Sequence, residues 1–226
     1  MANGPLSGIR VVDIATDRAE MAGRVLADLG AEVIKVEPPG GSIARTLPPF
    51  DGKNGESLYF ASVSLGKKSV VLDIDDPAGH DTFENLVATA DILVESFDPG
   101  VMAAKGLGPE HLRALNPRLI YVSVTPYGQD GPDAHSPATD LTLEAAGGLI
   151  SLQGDGDRPP IPVGFPQASF HAGTQAATDA IIALNERAVS GLGQHLDVSM
   201  QGGIIWTLMN ASGYPGEHRQ QPAGHV

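Results

Sequence analysis

The chain has 226 residues with 28 Gly, 18 Pro and no Cys, and its 14 Lys and Arg against 27 Asp and Glu give a formal net charge of −13. A hydrophobic share of 42% excludes a disordered chain, and the length can bury the core of one large domain or two small ones. The acidic balance and an aromatic share of 5% argue against a nucleic-acid binder, and the lack of Cys excludes disulfides, thiolate nucleophiles and Cys-ligated metals.

The first eight residues, Met1 to Gly8, have neither a basic nor an apolar leader segment. No apolar run approaches the roughly 18 residues of a membrane span. The expectation is a cytoplasmic chain without a membrane partner.

Residues 9–14 read as a short buried strand rich in β-branched side chains. From Arg18 to Leu29, apolar residues at Met21, Val25, Leu26 and Leu29 keep helical spacing, and Gly30 stands where a helix C-terminal glycine belongs. Residues 31–36 form the next strand, so the segment is a β-α-β unit with a parallel crossover. Residues 38–57 read as a long surface loop. A strand over 69–74 precedes Asp76-Pro77, an N-cap followed by proline at the first helical position, and a helix running to about Ala90. Residues 92–95 are a strand, 98–100 a turn, 109–115 a short helix and 119–124 another strand. The rhythm indicates an α/β chain, a Rossmann-like mostly parallel sheet with helices on both faces, followed by long helices.

After Val124 comes a loop to Pro137, then a short helix over 140–146 ending at Gly147-Gly148, and a turn over 154–160. The longest helix spans 166–187. A turn at 191–193, a strand at 195–198 and a helix at 199–209 follow, with a polar tail from Gly213. The expected division is a large domain over 1–190 and a segment over 191–226 leading toward a second, small domain.

No G-x-G-x-x-G follows the first strand, which removes the dinucleotide fingerprint, and there is no Walker motif and no G-x-S-x-G elbow. The seven His form no H-x-x-x-H pair, so no metal site is expected. Asp140 and Glu144, four residues apart, share a helix face. Asp140 suits two roles: an N-terminal carboxylate meeting the positive end of a helix dipole, or a partly desolvated nucleophile. Arg45, Lys67, Lys68 and Lys105 are basic residues in loops where a phosphate-bearing ligand would need them, and equally suit solvated surface charges.

Six segments taken in order carry a resemblance: residues 26–41 (Leu26 to Gly41), 66–73 (Gly66 to Asp73), 90–100 (Ala90 to Gly100), 116–123 (Asn116 to Ser123), 127–132 (Tyr127 to Pro132) and 193–199 (Gly193 to Ser199). Together they resemble the class III CoA-transferases, the family of the formyl-CoA and carnitine CoA-transferases, with alpha-methylacyl-CoA racemase as a relative. The resemblance runs from about residue 5 to 210.

It implies a CoA-transferase moving CoA between an acyl-CoA and a free carboxylic acid through an aspartyl-CoA thioester. In the family the nucleophile is an Asp shortly after the Gly-Gln-x-Gly-Pro loop, a place that Asp140 occupies here. Ser96 and Phe97 match CoA-contacting positions, and Arg45, Lys67, Lys105, Tyr127 and Gly128 lie at or near other matching loops. No tightly bound cofactor is implied; coenzyme A enters as substrate. Asp98 stands where the family usually has a basic or polar residue. Thr139 replaces the His that precedes this Asp in the racemase, and the loop 163–167 has no Asp, which disfavours racemisation. Family members are about twice as long and interlock as dimers, so the resemblance covers their N-terminal half. It implies an interlocked homodimer, or a hetero-oligomer with a C-terminal-half subunit. The alternatives are an acyl-CoA racemase or isomerase, and a non-catalytic CoA-binding subunit.

Overall fold

The computed structural model describes residues 4–155 and 157–209. Its strands are β1 (Arg10–Asp13), β2 (Glu32–Glu37), β3 (Lys68–Val71), β4 (Ile92–Glu95), β5 (Ile120–Thr125) and β6 (His195–Ser199). They form one six-stranded sheet in the order β3-β2-β1-β4-β5-β6. Every pairing is parallel. The chain leaves β1 in one direction for β2 and β3 and crosses back for β4, which makes the β1/β4 boundary the topological switch point.

The helices are α1 (Glu20–Asp28), α2 (Leu58–Ser64), α3 (Pro77–Ala88), α4 (Val101–Ala104), α5 (Pro109–Leu115), α6 (Asp140–Ala146), α7 (Ala168–Ser190) and α8 (Met200–Thr207). Alternate strand residues feed two cores. Val11, Val94, Val122 and Val124 pack with α1, α7 and α8 on one face. Val12, Leu93 and Tyr121 pack with Phe83, Val87 and Leu112 of α3 and α5 on the other. Burial on both faces is why β4 and β5 are apolar without alternation.

Local chemistry sets several boundaries. The Asp76 side chain accepts from the backbone N–H of Ala78 and Gly79, with Pro77 at the first helical position of α3. Gly30 ends the α1 segment at φ +99°, and a Cβ there would stand 2.9 Å from Gly4 Cα. Along α7, Ala168, Ala172, Ala176, Ala180 and Ala183 are buried. These small side chains let α7 lie close to α1, so close that a Cβ on Gly173 would meet Met21 Cβ at 2.8 Å.

The expected strands and long helices are present, and the sheet is wholly rather than mostly parallel. Two features differ. β3 stops at Val71 instead of Ile74, because its neighbour β2 ends at Glu37, whose carbonyl takes the last bond from Leu72 N–H. Helices α2 and α4 stand where the sequence carries no helix signal; each is held by tertiary contacts of a few side chains. The strand and helix expected after residue 190 are present, with β6 paired to β5 and α8 packed on α7. The predicted tail from Gly213 lies outside the described residues. No helix among the described residues is long and apolar enough to cross a membrane.

Candidate active site

Asp140 is the first residue of α6, but it does not cap that helix. Thr139 does: its hydroxyl accepts from Thr142 N–H, and the Thr142 hydroxyl accepts from Thr139 N–H in return. The Asp140 side chain is left to turn toward α7. One carboxylate oxygen accepts from Gln167 N–H at 2.7 Å; the other accepts from Ser169 N–H at 3.0 Å and lies 3.3 Å from the Ser169 hydroxyl. An anion is therefore fixed at the positive end of a 23-residue helix. The expected helix-terminal role holds, at a different helix from the one expected.

Around Asp140 is a cavity of about 350 Å³, with Arg18, Tyr59, Thr139, Ser169 and Met200 among its walls. Tyr59 is buried and donates to the Asp17 carbonyl at 3.2 Å. Burial pushes its phenol well above the usual range, and the neighbouring carboxylates of Glu20, Asp17 and Asp140 add to this. The Tyr59, Phe165 and Phe170 rings pack with centroids 5.1 to 6.3 Å apart, an apolar wall beside the cavity.

A second cavity of about 220 Å³ opens at the C-terminal ends of β1 to β4, the switch-point position where open α/β sheets take ligands. Phe97, Leu72, Ile74, Thr16 and Lys105 line it. The Lys105 ammonium is paired with Asp75. Ser96 is fully buried and braces the site: its hydroxyl accepts from Thr16 N–H at 2.8 Å and lies 2.9 Å from the Thr16 hydroxyl. The loop after β1 separates the two cavities, with Thr16 lining one and Asp17 and Arg18 the other.

The remaining expected contacts stand elsewhere. Lys67 is not a surface cation. Its ammonium is 1% exposed and bonds Asp13 at 2.8 Å and Glu20 at 2.9 Å, in a buried cluster with Lys35. Gly23 makes room for this cluster, since a Cβ there would lie 2.2 Å from the Asp13 carboxylate. The Arg45 guanidinium is held by both oxygens of Glu37, at 2.6 and 2.8 Å, and lies over the Phe60 ring. Arg45 in turn, against the opposing effect of burial and with help from Ser69 and Ser42 N–H, holds the Glu37 carboxyl down to about 2. Tyr127 packs against the α7-side core, and Gly128, at φ +94°, turns the chain after β5; neither lines the two cavities.

The α3/α5 side of the sheet carries a larger cavity, about 640 Å³, lined in part by Glu95, Tyr121 and Ser123. Burial pushes the Glu95 carboxyl up to about 7 even though Ser123 and Phe97 N–H bond it. His80, Asp81 and Glu84 on α3 could offer ligand atoms within 4.8 Å of one another, a grouping with only one His and so without an H-x-x-x-H signature. Glu84 there is already bonded to His111 at 2.5 Å. The sequence reading also missed Ser169 and Tyr59, whose place beside Asp140 depends on contacts far along the chain.

Residues 6–225 match CoA-transferase family III. The chain is 40% identical over 203 residues to a succinate–glutarate CoA-transferase of Agrobacterium fabrum, covering 87% of this chain and 51% of that protein. It is 41% identical over 211 residues to an acetyl-CoA:oxalate CoA-transferase of Acetobacter aceti, covering 92% and 54%. A CAIB/BAIF family protein from Brucella suis has the same fold, with a TM-score of 0.89 and 38% identity over 94% of this chain and 57% of that one. The chain thus spans about half the length of the curated relatives it matches. With this sheet order, these two adjoining cavities and these matches, the chain belongs to CoA-transferase family III.

Proposed function

We propose that the chain carries the acyl-exchange site of a CoA-transferase, with Asp140 as the reacting carboxylate and the switch-point cavity as the seat of the CoA nucleotide. One observation carries the reading. A carboxylate held at the N-terminus of α7 faces a cavity separated only by the β1–α1 loop from a second cavity at the ligand-binding edge of the sheet. A CoA lying across that loop would bring its thioester toward Asp140.

The chemistry balances without an oxidant or reductant. An Asp140 oxygen adds to the thioester carbonyl, and CoA thiolate leaves to give a mixed anhydride. The thiolate then adds to the Asp140 carbonyl, the donor acid leaves as its carboxylate, and an aspartyl-CoA thioester remains. An acceptor carboxylate reverses the two steps and carries CoA away. The N–H groups of Gln167 and Ser169 hold the side chain in one orientation before attack. Arg18 at the cavity wall, paired with Asp98 at 2.6 Å, is the cation nearest to hand for a substrate carboxylate. The substrates are an acyl-CoA and a small carboxylic acid in the cytoplasm. The rest of the acyl pocket comes from a second copy or from a chain equivalent to the other half of the relatives.

A second reading rests on the Ser169 hydroxyl, 3.3 Å from an Asp140 oxygen that is already bonded. In it the hydroxyl forms the acyl ester, Asp140 takes its proton, and CoA leaves. Peptide mass spectrometry after exposure to a panel of acyl-CoAs, with and without borohydride, separates the two. Reduction of a thioester in the peptide holding Asp140, absent from Asp140→Ala, supports the first. An acyl group on the peptide holding Ser169 supports the second. CoA binding with no modification in the presence of the partner half would leave a binding subunit and overturn both.

A further inference from the structure

Glu95 ends β4 and is 3% exposed. With Tyr121 and Ser123 of β5, also buried, it lines the cavity of about 640 Å³, a volume within the range of small-molecule sites. This cavity shares no lining residue with the other two; Phe97, two positions on, lines the switch-point cavity instead. The charges around it have one sign. Glu95, Asp98 and Glu110 line it, and among the described residues no Lys or Arg does. His111, which also lines it, is held by Glu84 at 2.5 Å. Asp98 has its own cation in Arg18, at 2.6 Å. Glu95 has none: its Oε2 accepts from Phe97 N–H at 2.8 Å, and among the described residues no Lys, Arg or His bonds it. From β6, His195 lies 3.0 Å from the Ser123 hydroxyl, and Asp197 adds a further negative charge. Arg113 of α5 donates to the Gly193 carbonyl at 3.0 Å and does not line the cavity. A buried carboxyl without a cation holds its proton. Burial, with a smaller addition from Asp197, accordingly pushes Glu95 up to about 7 against the bonds from Ser123 and Phe97 N–H.

We propose that this cavity binds a small molecule carrying a protonated amine, whose ammonium seats against the Glu95 carboxylate and the Ser123 hydroxyl. The occupant supplies the cation that the fold omits. An ammonium has three donors, and Glu95, Ser123 and Gln129 offer acceptors at the wall. Three acidic side chains and no Lys or Arg make the same wall repel the phosphates of CoA and a free carboxylate. Binding moves one proton: the Glu95 acid and the ammonium become an ion pair, and the acid proton leaves to solvent. The assignment stands whichever residue of the neighbouring cavities carries the acyl exchange.

Calorimetric titration of the full chain with n-hexylamine, and with 1-hexanol as its uncharged counterpart, tests this. The amine should bind and the alcohol should not. Near neutral pH, the heats in buffers of different ionisation enthalpy should show a proton released as the amine binds. Between about pH 6 and pH 8 the affinity should rise roughly tenfold, as the ionised share of Glu95 rises. Glu95→Gln has the shape of the neutral acid but cannot ionise. It should bind the amine at least roughly tenfold more weakly, release no proton and lose the slope; any slope it keeps belongs to His111 or His195. Ala103→Leu narrows the cavity and leaves Glu95 in place. Ala103 is exposed, so this variant should fold, and it too should lose the amine. No amine binding by the wild type, equal affinity for amine and alcohol, or wild-type affinity and slope in Glu95→Gln overturns the proposal. Displacement of the amine by CoA overturns it as well, since the amine would then occupy the CoA site.

Discussion

Replacing Lys67 by Met separates a structural cation from a ligand contact. The cluster of Asp13, Glu20, Lys35 and Lys67 is electrically neutral, and its side chains are between 0 and 2% exposed. Met fills the volume of Lys but leaves one uncompensated negative charge and two orphaned carboxylate acceptors, Asp13 Oδ2 and Glu20 Oε2. Breaking a buried ion pair from one side costs about 3–5 kcal/mol. For a domain of this size that is a fall in Tm of roughly 6 to 20 °C. The pH dependence has a definite sign. Burial alone would push the Asp13 carboxyl up, but the Lys35 and Lys67 ammoniums outweigh it and hold it below its ordinary value. Its contribution is complete above about pH 4 and fades as pH falls through the folded value. Burial alone would lower Lys67, yet Asp13 and Glu20 raise it, so its contribution holds below about pH 10 and is lost above the folded value. The variant should therefore begin acid unfolding at a higher pH. Calorimetry between pH 3 and pH 8 and a CoA titration measure both sides. A Tm within about 2 °C of wild type together with lost CoA affinity would refute the reasoning and restore Lys67 as a ligand contact.

Asp140→Ala should lower stability by about 1–2 kcal/mol as well as abolish adduct formation, because it strips the acceptor from the N-terminus of α7; urea unfolding reads the first effect. Arg45→Met should move the acid-unfolding midpoint upward. Arg45 is the main reason that Glu37 stays ionised down to about pH 2, and stability from a lowered carboxyl is lost as pH falls. Glu95→Gln should act in the opposite direction. The raised Glu95 makes the wild type lose stability from about pH 4.5 up to about 7, so the amide variant should be the more stable at pH 8 by up to about 3 kcal/mol, and the two should converge in acid. A Glu95→Gln stability curve parallel to that of wild type across this range would contradict the buried-acid assignment.

The parts that follow local rules were legible, and those that depend on distant partners were not. β4 and β5 announce themselves because both faces are buried, which makes their residues apolar without a break. Asp76-Pro77 and Gly147 mark helix ends by chemistry confined to a few neighbours. By contrast α2 has only seven residues, too few to be stable alone, and it owes its shape to Tyr59 and Val63 packing on Ala44. The charges show the division most sharply. Lys67 and Lys68 are adjacent and chemically identical, yet one side chain is 1% exposed and the other 68%. What distinguishes them is Asp13 and Glu20, 54 and 47 positions away. Asp140 repeats the pattern: its helix-start position is local, but its bonds go 27 and 29 residues on, to α7. In a parallel α/β sheet the loops that build a site gather at one edge from far apart in the chain. Strand order therefore places the site, while the role of each charge in it depends on which loop from elsewhere lies against it. That is why Asp140 and Phe97 could be placed at cavities from their motifs, while Lys67, with a motif equally good, belongs to the scaffold beneath them.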